Sequence, residues 1–171
     1  LWKTNCVKGG CYQIGAITSY INISDSPELD LNDSLTIELW VNLTGNSDTM
    51  IRKQDAYGLE IQKDTRKIEF ATWSGSQGGF VLTTDNGINL NEWSHIVATY
   101  DGKIKRIYIN GIKVKEGSWN YGIDNSNNDL YIGTHPTDPF ENFYGFLDEV
   151  KIYNFSLSEA SVYEHYLEGI N

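Results

Sequence analysis

The sequence predicts an all-β sandwich, two antiparallel sheets with one short helix at the C-terminal end. Three observations predict it. Apolar and polar residues alternate with period two along much of the chain. The alternating runs recur at a spacing of about 8–12 residues. Gly and Asn punctuate them, and Asp101-Gly102 and Asn110-Gly111 are strong hairpin dipeptides because these residues tolerate positive φ.

In order, "LTIELWVNL" places Leu35, Ile37, Leu39, Val41 and Leu43 on one face and Thr36, Glu38, Trp40 and Asn42 on the other. That pattern reads as a half-buried strand. "TMIRK", "YGLEIQ" and "RKIEFATW" continue the series, the last two joined by a polar turn at residues 63–65. "WSHIVATYDGKIKRIYINGIKV" reads as three strands around the two dipeptide turns. "DLYIG" and "FLDEVKIYN" complete the set. "SLSEASVYEHYLEG" is the one credible helix. Ser156 or Ser158 can cap it, and Ser156 with Glu159 fits a capping box. Val162, Tyr163, Tyr166 and Leu167 share a face, and Gly169 is placed to end it. The stretches 75–79 and 122–129 read as the loosest loops.

The totals bound the partners. The chain has 171 residues, 40% of them hydrophobic and 21% charged, which fits one domain (1–171) with a proper core. Thirteen Lys and Arg against 23 Asp and Glu give a net charge of −10. So acidic a chain repels phosphate backbones, so nucleic acid and anionic membranes are not expected partners. No apolar run approaches the ~20 residues of a membrane span. The chain begins at Leu1 rather than Met, which suggests a processed chain or a piece of a larger multidomain protein. Two cysteines sit in "CVKGGC", where Gly9 and Gly10 permit a tight turn. A Cys6–Cys11 disulfide closing that ring would contribute about 2 kcal/mol. The alternative is a pair of reduced thiols. The disulfide is the expectation, and with it an extracellular setting.

Asp148 and Glu149 stand side by side in "FYGFLDEVKIYN". Adjacent strand residues leave opposite faces, so the two carboxylates cannot act as an acid–base pair. Asp148 is expected on the core side with Phe146, Val150 and Ile152. A buried carboxylate must find partners, and a structural role, tying down a neighbouring loop, is the expectation for it.

Four stretches carry a resemblance: "DSPELDLNDSLTIELWVNL", "NEWSHIVATYDGKIKRIYINGIKV", "DLYIG" and "FYGFLDEVKIYNFSLSEASV". In order, they resemble the laminin-G-like, concanavalin A-like jelly-roll domains, from about Tyr12 to Gly169, with pentraxins as distant relatives. The resemblance implies a jelly-roll sandwich with a short C-terminal helix. It also implies a secreted or cell-surface setting and binding of glycans or proteins, often with calcium. Many members carry "FDG" where this chain has "QIGAITSYINI", so any calcium ligand supplied by that aspartate is absent or replaced.

Calcium wants six to eight oxygens. Asp55 in "RKQDAY" and Asp138 and Glu141 in "GTHPTDPFEN" are the candidate ligands, and two solvated loops are the alternative. Tyr57, Trp73 and Trp119 lie at strand ends or in loops, where an exposed ring can stack on a sugar. A partly buried sandwich edge is the competing reading. Trp40, Trp93 and His95 are expected to pack, and His135 and His165 to lie at the surface. "ELDLND" resembles the acidic motif of laminarinase-type glycoside hydrolases, with Glu28 and Asp30 as the pair. Asp33 is at the wrong spacing, and Pro27 and Asn32 suggest a turn. No other enzyme motif is present. The expected function is non-enzymatic extracellular recognition, of a glycan or a cell-surface protein. A structural or adhesive domain without a small ligand is the alternative, and a glycoside hydrolase a third.

Overall fold

Alternation decides which side of each strand turns inward, and the described residues form thirteen strands. The computed structural model describes residues 2–3, 6–15, 19–75, 77–138 and 140–171. In chain order the strands are β1 (Trp2–Lys3), β2 (Cys11–Ile14), β3 (Ile21–Ile23), β4 (Leu35–Leu43), β5 (Thr49–Lys53) and β6 (Tyr57–Ile61). They continue with β7 (Lys67–Ser74), β8 (Gly78–Gly87), β9 (Trp93–Tyr100), β10 (Ile104–Ile109), β11 (Ile112–Ser118), β12 (Leu130–Ile132) and β13 (Gly145–Tyr153). Helix α1 (Glu159–Ile170) follows. The "QIGAITSYINI" comparison falls partly on residues 16–18, and the 75–79 loop includes residue 76, both outside the described residues.

One sheet has seven strands in the order β1-β2-β13-β4-β9-β10-β11, the other six in the order β3-β12-β5-β6-β7-β8. Every pairing within the strands is antiparallel. This is the jelly-roll sandwich the sequence predicts. Leu35, Ile37, Leu39, Val41 and Leu43 of β4 meet Met50, Ile51, Leu59, Ile68 and Phe70 of the facing sheet in a single core.

β4 is more deeply buried than its alternation suggests. Thr36, Glu38 and Trp40 are as inaccessible as their apolar neighbours. The reason is α1, which lies across the outer face of the seven-stranded sheet. Tyr166 stacks on Trp40 at 5.8 Å between ring centroids, and lies 6.1 Å from the His95 ring. Val162 is fully buried with Val97 and Tyr108. The helix starts at Ser158, whose side chain accepts from Ser161 N at 3.1 Å, rather than through a Ser156–Glu159 box. It also runs past Gly169 instead of ending there. A Cβ on Gly169 would overlap the Trp40 indole, so glycine is what lets helix and strand approach.

The hairpin dipeptides work differently from one another. At Asn110-Gly111 both residues take positive φ, 51° and 77°. At Asp101-Gly102 only the glycine does, and the Asp101 carboxylate accepts from Lys103 N and Ile104 N instead.

β13 corrects the reading of Asp148. Leu147 pairs with core-facing Val41, and Asp148 pairs with Trp40, which faces the helix side. The register then shifts between Asp148 and Lys151, with Glu149 at φ 47°. This bulge resets the alternation, so Val150 and Ile152 pack on the core while Asp148 does not. Asp148 Oδ2 accepts from Lys8 N at 3.0 Å, within the ring closed by the Cys6–Cys11 disulfide.

Candidate functional site

Strand direction separates the three candidate calcium ligands. Leu130 pairs with Lys53 and Ile132 with Ile51, so the loop after β12 leaves toward the Asp48 end of β5. Asp138 and Glu141 lie in that loop. Asp55 lies beyond Lys53, at the opposite end, in the turn to β6. Its side chain accepts from Gln54 Nε2 at 2.8 Å. Asp138 Oδ1 accepts from Phe140 N at 2.9 Å. The two loops therefore do not meet: Asp55 stands at the opposite end of β5 from Asp138 and Glu141. Among the described residues no group of three or more His, Cys, Asp and Glu side chains is placed to share a metal.

Glu141 instead neighbours Asp48 and Glu60 around a polar depression. Burial, with the charge of Glu141 added, pushes the Asp48 carboxyl up. Burial does the same to Glu60, against the pull of Arg52 at 2.6 Å. Lys63 stands 3.3 Å from Asp48. Lys63 and Arg52 offset only part of that cost.

The expected aromatic platforms are corrected as well. Tyr57 is fully buried, its hydroxyl donating to Leu29 O at 3.1 Å. Trp119 is in the core, stacked on Phe80 at 5.3 Å. Trp73 is partly exposed, but the Arg52 guanidinium covers its ring at 4.0 Å. Residues Pro27–Leu29 form a single 3-10 turn, not a strand. Glu28 lies on that turn and Asp30 follows it, 3.9 Å from Lys53 Nζ. With Tyr153 and Phe155 they line a depression of about 510 Å³. Its polar equipment is thin, because Asp30 is turned to Lys53 and the Tyr153 hydroxyl donates to Glu38.

Glu38 is the centre of a buried network under α1. Its oxygens lie 3.1 Å from His95 Nε2, 3.0 Å from His165 Nδ1 and 3.0 Å from the Tyr153 hydroxyl. Burial opposes the charged carboxylate, yet the hydrogen bonds from His95 and His165 outweigh it and hold the group at about 2. His165, expected at the surface, is thus a helix anchor. With Glu38 2% exposed and His95 wholly enclosed, this network clamps the helix.

The site with the chemistry to bind a solute is a groove of about 490 Å³ between the β8–β9 connection and the β10–β11 hairpin. That volume lies in the ~300–1,000 Å³ range of small-ligand sites. Asp85, Asn86, Asn89, Glu92, Trp93 and Asn110 line it, with aliphatic Ile112 and Val114 on the hairpin wall. Local structure fixes these groups. Thr84 Oγ1 accepts from Ile68 N and donates to Asn86 O, turning the end of β8. A Cβ on Gly87 would overlap Thr65 O, so glycine lets the chain close on the neighbouring turn. Ile88 N donates to Arg66 O and Arg66 Nε donates back to Ile88 O, each at 3.0 Å. Asn89 Nδ2 donates to Glu92 Oε2 at 2.8 Å. Asn110 Oδ1 accepts from His95 N at 2.9 Å, which fixes the hairpin against β9. Sequence reasoning missed this groove because its asparagines read as turn formers and Trp93 as packing. The one signal was the run "DNGINLNEW", unusually rich in amides for a connection between strands.

A two-sheet sandwich with one face closed by a helix and a mixed groove at its rim defines a lectin-like fold. The chain belongs to the concanavalin A-like lectin/glucanases superfamily, whose family model matches residues 15–163. No curated protein sequence matches it. Solved structures share the fold. The binding domain of Paraclostridial Mosquitocidal Protein 1 superposes with a TM-score of 0.80 at 18% identity, over 97% of this chain and 45% of that one. The Botulinum Neurotoxin serotype G binding domain gives 0.76 at 19%, over 98% and 44%. Domain 4 of AbnA, a GH43 extracellular arabinanase from Geobacillus stearothermophilus in complex with arabinotriose, gives 0.75 at 21%, over 95% and 79%. This chain spans less than half the length of the first two.

Proposed function

We propose that this chain is a non-catalytic carbohydrate-binding module of a larger extracellular protein, and that the groove between the β8–β9 connection and the β10–β11 hairpin is its sugar site. The observation that carries the reading is the groove's composition. Amides that both donate and accept, carboxylates that accept, and an indole beside aliphatic side chains are what a hydroxylated ring with an apolar face requires. Superfamily membership and the arabinotriose complex of a similar fold support it. The disulfide supports the extracellular setting.

Titration calorimetry against a panel of oligosaccharides that includes arabinotriose tests the reading. Wild type should bind at least one of them, and Trp93→Ala should weaken that binding about tenfold or more. No binding by wild type, or equal binding by Trp93→Ala, sinks the proposed site. Chelation with EDTA should leave the affinity unchanged, because the contacts proposed here run through amide, carboxylate, indole and aliphatic side chains and call on no metal.

A further inference from the structure

We infer that the groove selects uncharged oligosaccharides and turns away acidic ones, an inference that rests on its reading as a sugar site. Among the described residues that line it, none is Lys or Arg, while two are carboxylates. Asp85 is neutralised at the rim, where Lys115 Nζ lies 2.6 Å from Oδ1. That hydrogen bond, with the further pull of the Lys115 charge and of Lys67, draws the Asp85 carboxyl below its usual value. Glu92 is held differently, by the neutral amide of Asn89. Its charge therefore faces the groove without a cation on it, in a chain that already carries −10.

A uronic-acid or sulfated chain would bring like charge against Glu92, and the ammonium at the rim, Lys115, is already held by Asp85. A neutral chain meets no such repulsion. Its hydroxyls can donate to Glu92 and exchange hydrogen bonds with Asn86 and Asn89, and its C–H face can lie on the hairpin wall. Ile112 there is 65% exposed and Val114 38%, aliphatic surface open to solvent.

The experiment uses matched pairs: neutral oligosaccharides that bind, each compared with its C6-oxidised, carboxylate-bearing form, by calorimetry at low and high NaCl. Wild type should bind the neutral form at least about tenfold more tightly at low salt. The gap should narrow as salt screens the repulsion, while affinity for the neutral form stays level. Glu92→Lys, at an exposed position that does not threaten the fold, should erase or reverse the preference. Equal or tighter binding of the oxidised form by wild type overturns the inference and leaves the sugar reading standing. Absence of binding to both forms overturns the sugar reading itself.

Discussion

Two lysines, Lys53 and Lys105, lie wholly inside the sandwich, and their surroundings give them opposite effects on stability. Lys53 is paired with Asp25 and also donates to Asn128 O at 2.8 Å. Lys105 projects among Phe70, Phe80 and Trp119, with its Nζ 5.0, 4.8 and 5.6 Å from the ring centroids. Its ammonium donates to Phe80 O. Burial pushes Lys105 down to about 7. Between 7 and the ordinary value of 10.5 the unfolded chain then binds the extra proton, so this residue makes stability rise with pH across that window. Below 7 its full cost is present. Lys105→Met keeps the stem volume and removes the charge, and should raise the melting temperature at pH 7 and flatten that slope. Lys53→Met strands Asp25 and should lower stability by about 3 kcal/mol. Paired urea melts at pH 7 and pH 10 check both, and a Lys105→Met less stable than wild type at pH 7 would refute the first.

The helix was legible in the sequence; its place was not. Thr36 and Glu38 alternate with apolar residues and so read as the open face of a half-buried strand, which is what a strand left uncovered by α1 would show. Periodicity reports the pattern within one strand and is blind to what lies over it. β8 escaped for a related reason, because "GGFVLTTDNG" has glycine at its ends and no clean alternation. The groove is bounded by that strand, so missing the element meant missing the candidate site. The clamp on α1 makes its own prediction. The Glu38 carboxyl sits at about 2 against an ordinary 4.5, so its contribution is complete above 4.5 and is lost as pH falls from there toward 2. Wild type should lose helix and Trp40 near-ultraviolet signal over that interval. Glu38→Gln should be less stable at pH 6, by roughly 3 kcal/mol, and should lack the acid-dependent step. An unchanged acid profile in Glu38→Gln would show that the clamp carries no such role. Ser158→Ala, which removes the cap, should cost about 1 kcal/mol in the same melts.

At the scale of the whole molecule, period-two alternation and turn dipeptides were enough to predict two sheets, yet the order of strands within them was beyond their reach. Sequence neighbours such as β9, β10 and β11 do lie side by side, while β13 is inserted between β2 and β4, and β12 between β3 and β5. The distribution of acids had the same limit. Asp55, Asp138 and Glu141 look equivalent along the chain, and only the direction of β5 shows that they occupy opposite ends. Reduction of Cys6–Cys11 frees one small ring and should lower stability by about 2 kcal/mol, with intact mass confirming the opened bond.

The late insertion of β12 and β13 has a consequence for birth rather than for binding. As the polypeptide leaves the ribosome, each sheet waits with a gap beside its early strands, because β12 and β13 are made after the other strands described for this domain. A nascent chain that stops before residue 130 cannot complete either layer. A fragment ending before Gly145 should therefore lack cooperative melting altogether, whereas one ending after Tyr153, lacking only α1, should keep its strands and lose stability.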